Sequence, residues 1–140
     1  MPLLVVCGRP CAGKSRLTAQ LEKAALERLE EGKVSSVQVV ALESVKLSQE
    51  EGYRNSGEEK ITRQTIKAAI ERAISPRVLL IADYLNDIKG FRYELFCRAR
   101  AAGTNVVTVW CDATLEECRA RNGRRSDSTR YPDSVYDCVR

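Results

Sequence analysis

Residues 8–15 match a phosphate-binding pattern. Gly8, Gly13, Lys14 and Ser15 occupy the fixed positions of G-x-x-x-x-G-K-[ST], directly between a predicted strand and a predicted helix. In such a loop, successive backbone N–H groups point at a β-phosphate, and the dipole of the following helix is positive at the same place. Lys14 would neutralise the β- and γ-phosphates, and the Ser15 hydroxyl would ligate Mg²⁺. We therefore predict a nucleoside triphosphate site formed by Gly8, Arg9, Pro10, Cys11, Ala12, Gly13, Lys14, Ser15 and Arg16.

Two carboxylates follow other predicted strands. Asp83 ends the apolar run of residues 78–82, which is the position of a Walker B aspartate that holds the same Mg²⁺. Glu43 comes just after the second predicted strand, and parallel strands bring their carboxyl ends together at one edge of a sheet. We expect Ser15 and Asp83 to hold the metal. Glu43 either orients a water or a hydroxyl group, or is an ordinary loop carboxylate.

A basic stretch lies between residues 119 and 130, where five arginines meet one acid, Asp127. It follows the fourth predicted strand and its helix, where P-loop kinases carry an arginine-bearing lid over the phosphates. We expect one of Arg121, Arg124 or Arg125 to clamp the γ-phosphate, with Arg121 and Arg124 as the catalytic candidates. A solvated charged surface is the alternative. Two further cations that could touch phosphate or nucleic acid follow Asp83, namely Lys89 and Arg92.

The elements that must position these residues alternate along the chain. Apolar runs predict strands at 3–7, 37–42, 78–83 and 105–111. Helical periodicity predicts helices at 14–31, 58–75 and 91–102, one from Thr114, and a last one entered at Tyr131 and Pro132, while 43–57 is expected to be a polar loop with at most one short turn. Alternating strands and helices indicate an α/β fold with a parallel sheet and helices on both faces, as in kinase-like P-loop NTPases.

Composition restricts the possible functions. The chain has 140 residues, enough for one compact domain, and it has no histidine, which excludes serine-histidine hydrolases and metal sites that need imidazole. Its apolar runs are far shorter than the ~20 residues of a membrane-spanning helix, so no membrane partner is expected. The six cysteines have no metal-binding or redox spacing and are expected to be reduced and mostly buried. Without a recognisable secretory signal, the cytoplasm or the nucleus is the expected location.

Residues 83–95, Asp-Tyr-Leu-Asn-Asp-Ile-Lys-Gly-Phe-Arg-Tyr-Glu-Leu, resemble the signature of the killer-toxin-insensitivity type ATPases, which are Elongator-associated regulators of tRNA wobble-uridine modification. A weaker resemblance extends to the seryl-tRNA(Sec) kinases, which share the P-loop kinase fold. Further residues fit the first family at the amino terminus, in the phosphate loop and around the fourth strand, namely Met1, Pro2, Leu3, Pro10, Cys11, Cys111, Asp112, Glu116, Glu117, Cys118, Arg119 and Asn122.

The resemblance implies a domain that binds and hydrolyses ATP with Mg²⁺, is stimulated by tRNA and works with Elongator. It also implies that residues 1–140 are the ATPase domain and that the family's carboxy-terminal tRNA-binding domain is absent. Three positions depart from the family. Leu42 replaces the first acid of an Asp-Glu-Ser segment, Tyr84 replaces a small hydroxyl residue, and Asp87 replaces an aromatic residue. If the missing acid is the base, its role falls to Glu43 or activity is lost.

Three functions remain open at this point. The first is ATP hydrolysis. The second is a kinase that passes the γ-phosphate to a hydroxyl on tRNA or on a small molecule, with Glu43 as the base. The third is a non-catalytic nucleotide-sensing scaffold, which the loss of the acid at Leu42 favours.

Overall fold

Four parallel strands form the centre of the fold. The structure is a computed structural model that describes residues 2–31 and 35–138. The strands are β1 (Leu3–Cys7), β2 (Ser36–Ala41), β3 (Val78–Asp83) and β4 (Val106–Trp110), in the order β2-β3-β1-β4. Val6 of β1 and Ala41 of β2 both pair with Asp83. The chain therefore leaves these three strands at one edge of the sheet.

Six helices connect or follow the strands. They are α1 (Lys14–Glu30), α2 (Gln49–Gly52), α3 (Ser56–Ala73), α4 (Lys89–Ala101), α5 (Leu115–Gly123) and α6 (Ser134–Cys138), with 3₁₀ turns at Glu43–Val45 and Asp127–Thr129. None of the helices in the described part of the chain has the length and apolar character to cross a bilayer.

Helices cover both faces of the sheet, as the sequence predicted. On one face, Ala25 of α1 packs with Leu79 and Leu4. On the other, Ile70 of α3 and Leu95 of α4 join a larger core that contains alternate residues of β1 and β3, including Leu3, Val5, Leu80 and Ala82. Because successive side chains of a strand point to opposite faces, the continuous apolar runs of β1 and β3 serve both layers at once.

The segment predicted to be a polar loop carries more structure than expected. Ser48 caps α2, and its hydroxyl and backbone N–H both pair with Glu51 in a capping box. Asn55 caps α3 by accepting a hydrogen bond from the backbone N–H of Glu58, so this helix begins at Ser56, two residues earlier than predicted. Tyr53 follows α2 immediately, and its side chain is buried. The sequence pattern Ser-x-x-Glu at residues 48–51 was the local signal for α2.

Strand β4 is partly exposed, and one cysteine is more exposed than predicted. β4 lies at the edge of the sheet, and the side chains of Val107 and Trp110 are nearly half exposed. Five cysteines are free thiols, but Cys97 lies on the solvent side of α4, so the prediction of a buried residue is wrong there. The side chain of Cys138 is outside the described part of the structure.

Candidate nucleotide-binding site

The phosphate loop, residues 8–13, turns sharply between β1 and α1. Gly8 has φ +146° and Gly13 has φ +97°, conformations that L side chains rarely adopt. A Cβ atom on Gly8 would lie 2.6 Å from the carbonyl oxygen of Cys111, which follows β4. Gly8 also donates a backbone hydrogen bond of 3.3 Å to the carbonyl of Leu85. The start of the loop is therefore fixed by contacts with the segments that follow β3 and β4.

Lys14, the first residue of α1, is 6% exposed and lies folded against its own loop. Its Nζ donates hydrogen bonds of 3.1 Å to the carbonyl oxygen of Gly8 and 2.8 Å to that of Arg9. Burial lowers the pKa of the Lys14 ammonium group, and the nearby carboxylate of Asp83 opposes this effect. A positive group held under a loop of backbone N–H donors is suited to attract a phosphate.

Asp83 and Ser15 supply oxygen atoms beside Lys14. Burial raises the pKa of the Asp83 carboxyl, while hydrogen bonding from the Ser15 hydroxyl and the charge of Lys14 oppose the shift. A hydroxyl and a carboxylate are ligands that Mg²⁺ prefers, so the pair fits the predicted ion. Among the described residues, no group of three His, Cys, Asp or Glu side chains is placed to hold a metal ion.

A cavity of about 150 Å³ opens beside this pair. The phosphate loop and α1 form one wall with Cys11, Gly13, Lys14, Ser15 and Arg16. The ends of β2 and β3 together with α2 form the opposite wall with Leu42, Glu43, Gln49, Tyr53, Asp83 and Tyr84. Glu43 is exposed at the mouth of this wall, and its charge raises the pKa of Asp83.

Three tyrosines close the cavity on the side away from the phosphate loop. The rings of Tyr53 and Tyr84 are stacked with centroids 6.0 Å apart, and the ring of Tyr131 lies 5.2 Å from that of Tyr53. These side chains come from three distant parts of the chain, and all three are buried. The motif search did not identify them as site residues, because only the return of the chain after α5 brings Tyr131 to α2.

The three candidate arginines occupy different places. Arg125 lines the cavity, with its guanidinium carbon 5.6 Å from the centroid of the Tyr131 ring. Arg121 lies outside it and donates a hydrogen bond of 3.2 Å to the carbonyl of Cys11 in the phosphate loop. Arg124 is exposed at the end of α5 and lines neither the cavity nor the depression described next. Of the three arginines, only Arg125 lines the cavity, because α5 ends at Gly123 and the following turn directs it inward. The assignment of Arg121 or Arg124 as the phosphate clamp stays a prediction.

A shallower depression of about 500 Å³ lies on the other side of the phosphate loop. It is lined by Ala12, Gly13, Arg16, Leu17, Gln20, Cys111 and Arg121. Gly13 and Arg16 border both spaces.

Four other predicted site residues do not line the cavity. Arg9 donates a hydrogen bond of 3.3 Å to the carbonyl of Ala113, and Pro10 is buried. Arg92 donates to the carbonyls of Asn86 and Asp87 at 2.8 and 2.6 Å, so it holds the loop after β3 instead of facing the cavity. Lys89 is exposed at the start of α4.

Comparison of the sequence with known proteins identifies its family. The sequence profile of the family described as "Chromatin associated protein KTI12" matches residues 1–139. The chain belongs to the KTI12 family. It is 38% identical over 140 residues to a KTI12 homolog from Arabidopsis thaliana, covering 98% of this chain and 45% of that protein. It is 49% identical over 113 residues to a KTI12 homolog from Bos taurus, and the match covers 79% of this chain and 30% of that protein. The chain thus spans less than half of these KTI12 relatives.

Solved structures confirm the fold. Kti12 of Chaetomium thermophilum, crystallised with ADP-AlF3, matches with a TM-score of 0.81 and 30% identity over 99% of this chain and 78% of that one. The APS kinase CysC of Mycobacterium tuberculosis, in complex with AMPPNP and APS, matches with a TM-score of 0.63 and 16% identity over 88% and 69%, which supports the fold alone. The predicted kinase-like P-loop NTPase fold and the predicted family are both confirmed for this KTI12 chain.

Proposed function

We propose that this chain binds Mg-ATP and hydrolyses it. The observation that carries the proposal is that Lys14, Ser15, Asp83 and Arg125 line the same cavity. A lysine, two oxygen ligands for a metal and an arginine from a separate segment are the groups that stabilise charge during phosphoryl transfer. The relation to a Kti12 protein crystallised with ADP-AlF3 supports nucleotide as the ligand.

The proposed orientation of ATP uses the two spaces beside the phosphate loop. The cavity is lined by Lys14 and by the proposed metal ligands Ser15 and Asp83, so we place the γ-phosphate there. The nucleoside then lies in the depression beside Leu17 and Gln20.

Each residue has a defined task in the proposed reaction. Lys14 leaves its contacts with the carbonyls of Gly8 and Arg9 and neutralises the β- and γ-phosphates. Arg125 stabilises the charge that develops on the transferred group. Glu43, at the mouth of the cavity, orients the attacking water. Ser15 and Asp83 would hold Mg²⁺, which would supply neutralisation of phosphate charge.

Two acceptors for the γ-phosphoryl group fit the proposed site. A water oriented by Glu43 gives hydrolysis, and a hydroxyl on tRNA or on a small molecule gives transfer. We place hydrolysis first because the family resemblance implies an ATPase, and the assays below distinguish the two outcomes.

The biological setting follows from the family resemblance. We propose that residues 1–140 form the ATPase domain of an Elongator-associated regulator of tRNA wobble-uridine modification, present in the cytoplasm, the nucleus or both. The signature at residues 83–95 and the similarity to KTI12 homologs support this part.

ATP turnover with and without tRNA tests the proposal. Asp83→Asn keeps the shape of the side chain but removes its charge, so we expect hydrolysis to fall by about a hundredfold or more. Asp133→Asn is the matched control, because Asp133 is exposed and does not line the cavity. Equal turnover by wild type and Asp83→Asn would show that the catalytic assignment is wrong.

Two alternatives give different results in the same assay. Transfer of labelled phosphate from ATP to tRNA identifies a kinase. Tight nucleotide binding without turnover above that of Lys14→Ala identifies a scaffold, for which the apolar Leu42 at the position of the family's acid is the supporting observation.

A further inference from the structure

Asn122 is a buried amide, 4% exposed, near the end of α5. Its Oδ1 accepts hydrogen bonds from the backbone N–H of Tyr131 at 2.9 Å and from the thiol of Cys11 at 3.7 Å. Its Nδ2 donates to the carbonyl oxygen of Tyr131 at 2.9 Å. Burial of an amide is unfavourable unless it is hydrogen-bonded, and here every one of these bonds leaves α5 for another segment.

The first partner of Asn122 belongs to the phosphate loop. Cys11 has φ +60°, a left-handed conformation that is uncommon outside glycine. Arg121, the residue before Asn122, donates to the carbonyl oxygen of Cys11 at 3.2 Å. Two consecutive side chains of α5 therefore contact the same residue of the phosphate loop, one at its thiol and one at its backbone.

The second partner of Asn122 holds the cavity arginine. Tyr131 is 9% exposed, and its backbone is fixed on both sides by the Asn122 amide. The guanidinium of Arg125 lies 5.6 Å from the centroid of the Tyr131 ring, a distance suited to a cation–π contact. Arg125 also donates a hydrogen bond of 3.2 Å to the carbonyl oxygen of Thr129. Its position over the cavity therefore depends on the segment that Asn122 anchors at Tyr131.

We propose that Asn122 is a positioning residue that holds Arg125 over the phosphate cavity by joining the phosphate loop at Cys11 to the lid, residues 124–131. Asn122 does not line the cavity, so it acts through Tyr131 and Arg125 and not on the nucleotide. The catalytic part of this inference rests on the proposed function, whereas the placement of the lid does not.

Limited trypsin digestion of the full chain tests the placement without any need for turnover. The lid contains three arginines, Arg124, Arg125 and Arg130. Cleavage after them requires the backbone of the lid to unfold locally, which its anchoring at Tyr131 opposes. For Asn122→Ala we expect first cleavage in the lid to accelerate by about tenfold, the effect of losing a coupled buried contact. For Asn122→Asp we expect a smaller acceleration, because its carboxylate can still accept from Tyr131 and Cys11 but repels the Tyr131 carbonyl.

A matched variant separates local opening from general loss of stability. Leu79→Ala creates a cavity in the smaller core, where Leu79 packs with Ala25, and this core is separate from the one that contains Tyr131. At equal distance below the melting temperature, Leu79→Ala should show no preferential cleavage in the lid. Lid cleavage at the wild-type rate in both Asn122 variants, or equally fast in Leu79→Ala, would overturn the proposal.

A double-mutant cycle in ATP turnover tests the catalytic part. If Asn122 acts through Arg125, the double variant Asn122→Ala/Arg125→Ala turns over as slowly as Arg125→Ala alone, with little change in KM for ATP. If the fold-losses in turnover of the two single variants instead multiply in the double variant, Asn122 has no part in placing Arg125. Turnover by Lys14→Ala equal to wild type would instead reject the proposed function, and the trypsin result would still decide the placement of the lid.

Discussion

The Nζ of Lys14 lies 2.8 Å from the carbonyl oxygen of Arg9, so the lysine of the phosphate loop is held by the loop it serves. A second hydrogen bond reaches Gly8. ATP must therefore replace two backbone contacts of Lys14 with contacts to phosphate oxygens. The buried ammonium group gains a charged partner in this exchange, which favours binding because such hydrogen bonds are stronger than neutral ones.

Lys14→Ala is expected to weaken ATP binding by about a hundredfold or more while the free protein keeps its melting temperature within a few degrees. The ammonium group is costly to bury, so its removal relieves desolvation as it leaves two carbonyl acceptors unpaired. Calorimetric titration with ATP and thermal unfolding without it provide the two measurements. A large fall in melting temperature with unchanged affinity would contradict the assigned role.

Arg125→Ala is expected to lower ATP turnover by about a hundredfold, because the guanidinium that faces the transferred phosphate is lost. Arg124→Ala is the control, since the neighbouring side chain is exposed and lines no part of the cavity. Steady-state kinetics of both variants under the same conditions check the prediction. The reverse order of effects would restore the preference for Arg124 that the sequence suggested.

Gly8→Ala is expected to destabilise the protein by about 3 kcal/mol and to abolish ATP binding. The new Cβ would lie 2.6 Å from the carbonyl oxygen of Cys111, and the backbone φ is +146°. Gly90→Ala serves as the control, because a Cβ there meets nothing within 4 Å. Urea denaturation should show a lower free energy of unfolding for Gly8→Ala and an unchanged one for Gly90→Ala. Normal ATP binding by Gly8→Ala would disprove the tight contact.

The buried tyrosines are expected to make the protein unstable to alkali. Burial raises the pKa of Tyr84 to about 12 and also raises the pKa values of Tyr53 and Tyr131. Above about pH 10 the unfolded chain releases these protons and the folded chain retains them, so stability falls as pH rises, by about 1.4 kcal/mol per pH unit for each phenol.

Urea denaturation at intervals from pH 9 to pH 11 measures this slope. Tyr84→Phe should reduce the slope by the contribution of one phenol, about 1.4 kcal/mol per pH unit. Tyr93→Phe, at a side chain that is 66% exposed, should leave the slope of the wild type. A steep slope that is the same in all three proteins would assign the alkaline unfolding to other groups.

Much of the fold was predictable because its signals are local. The apolar runs of β1 and β3 and the periodicity of α1 predicted elements whose observed bounds differ by no more than one residue. The short helix α2 was missed, although Ser48 and Glu51 form a capping box, because four residues give too little periodicity to stand out from a polar loop. β4 was predicted as a strand, but its exposed position at the edge depends on its neighbours, which its own sequence does not specify.

The sequence by itself determined the phosphate loop, the carboxylate after β3 and their common edge of the sheet. This was possible because a contiguous motif and the rule for parallel strands place these groups without any knowledge of packing. Only the tertiary structure decided that Arg125 faces the cavity, that three tyrosines wall it, and that Asn122 joins Cys11 to Tyr131. The direction of a side chain beyond the end of a helix depends on where the chain packs when it returns, and that packing is made by residues far apart in sequence.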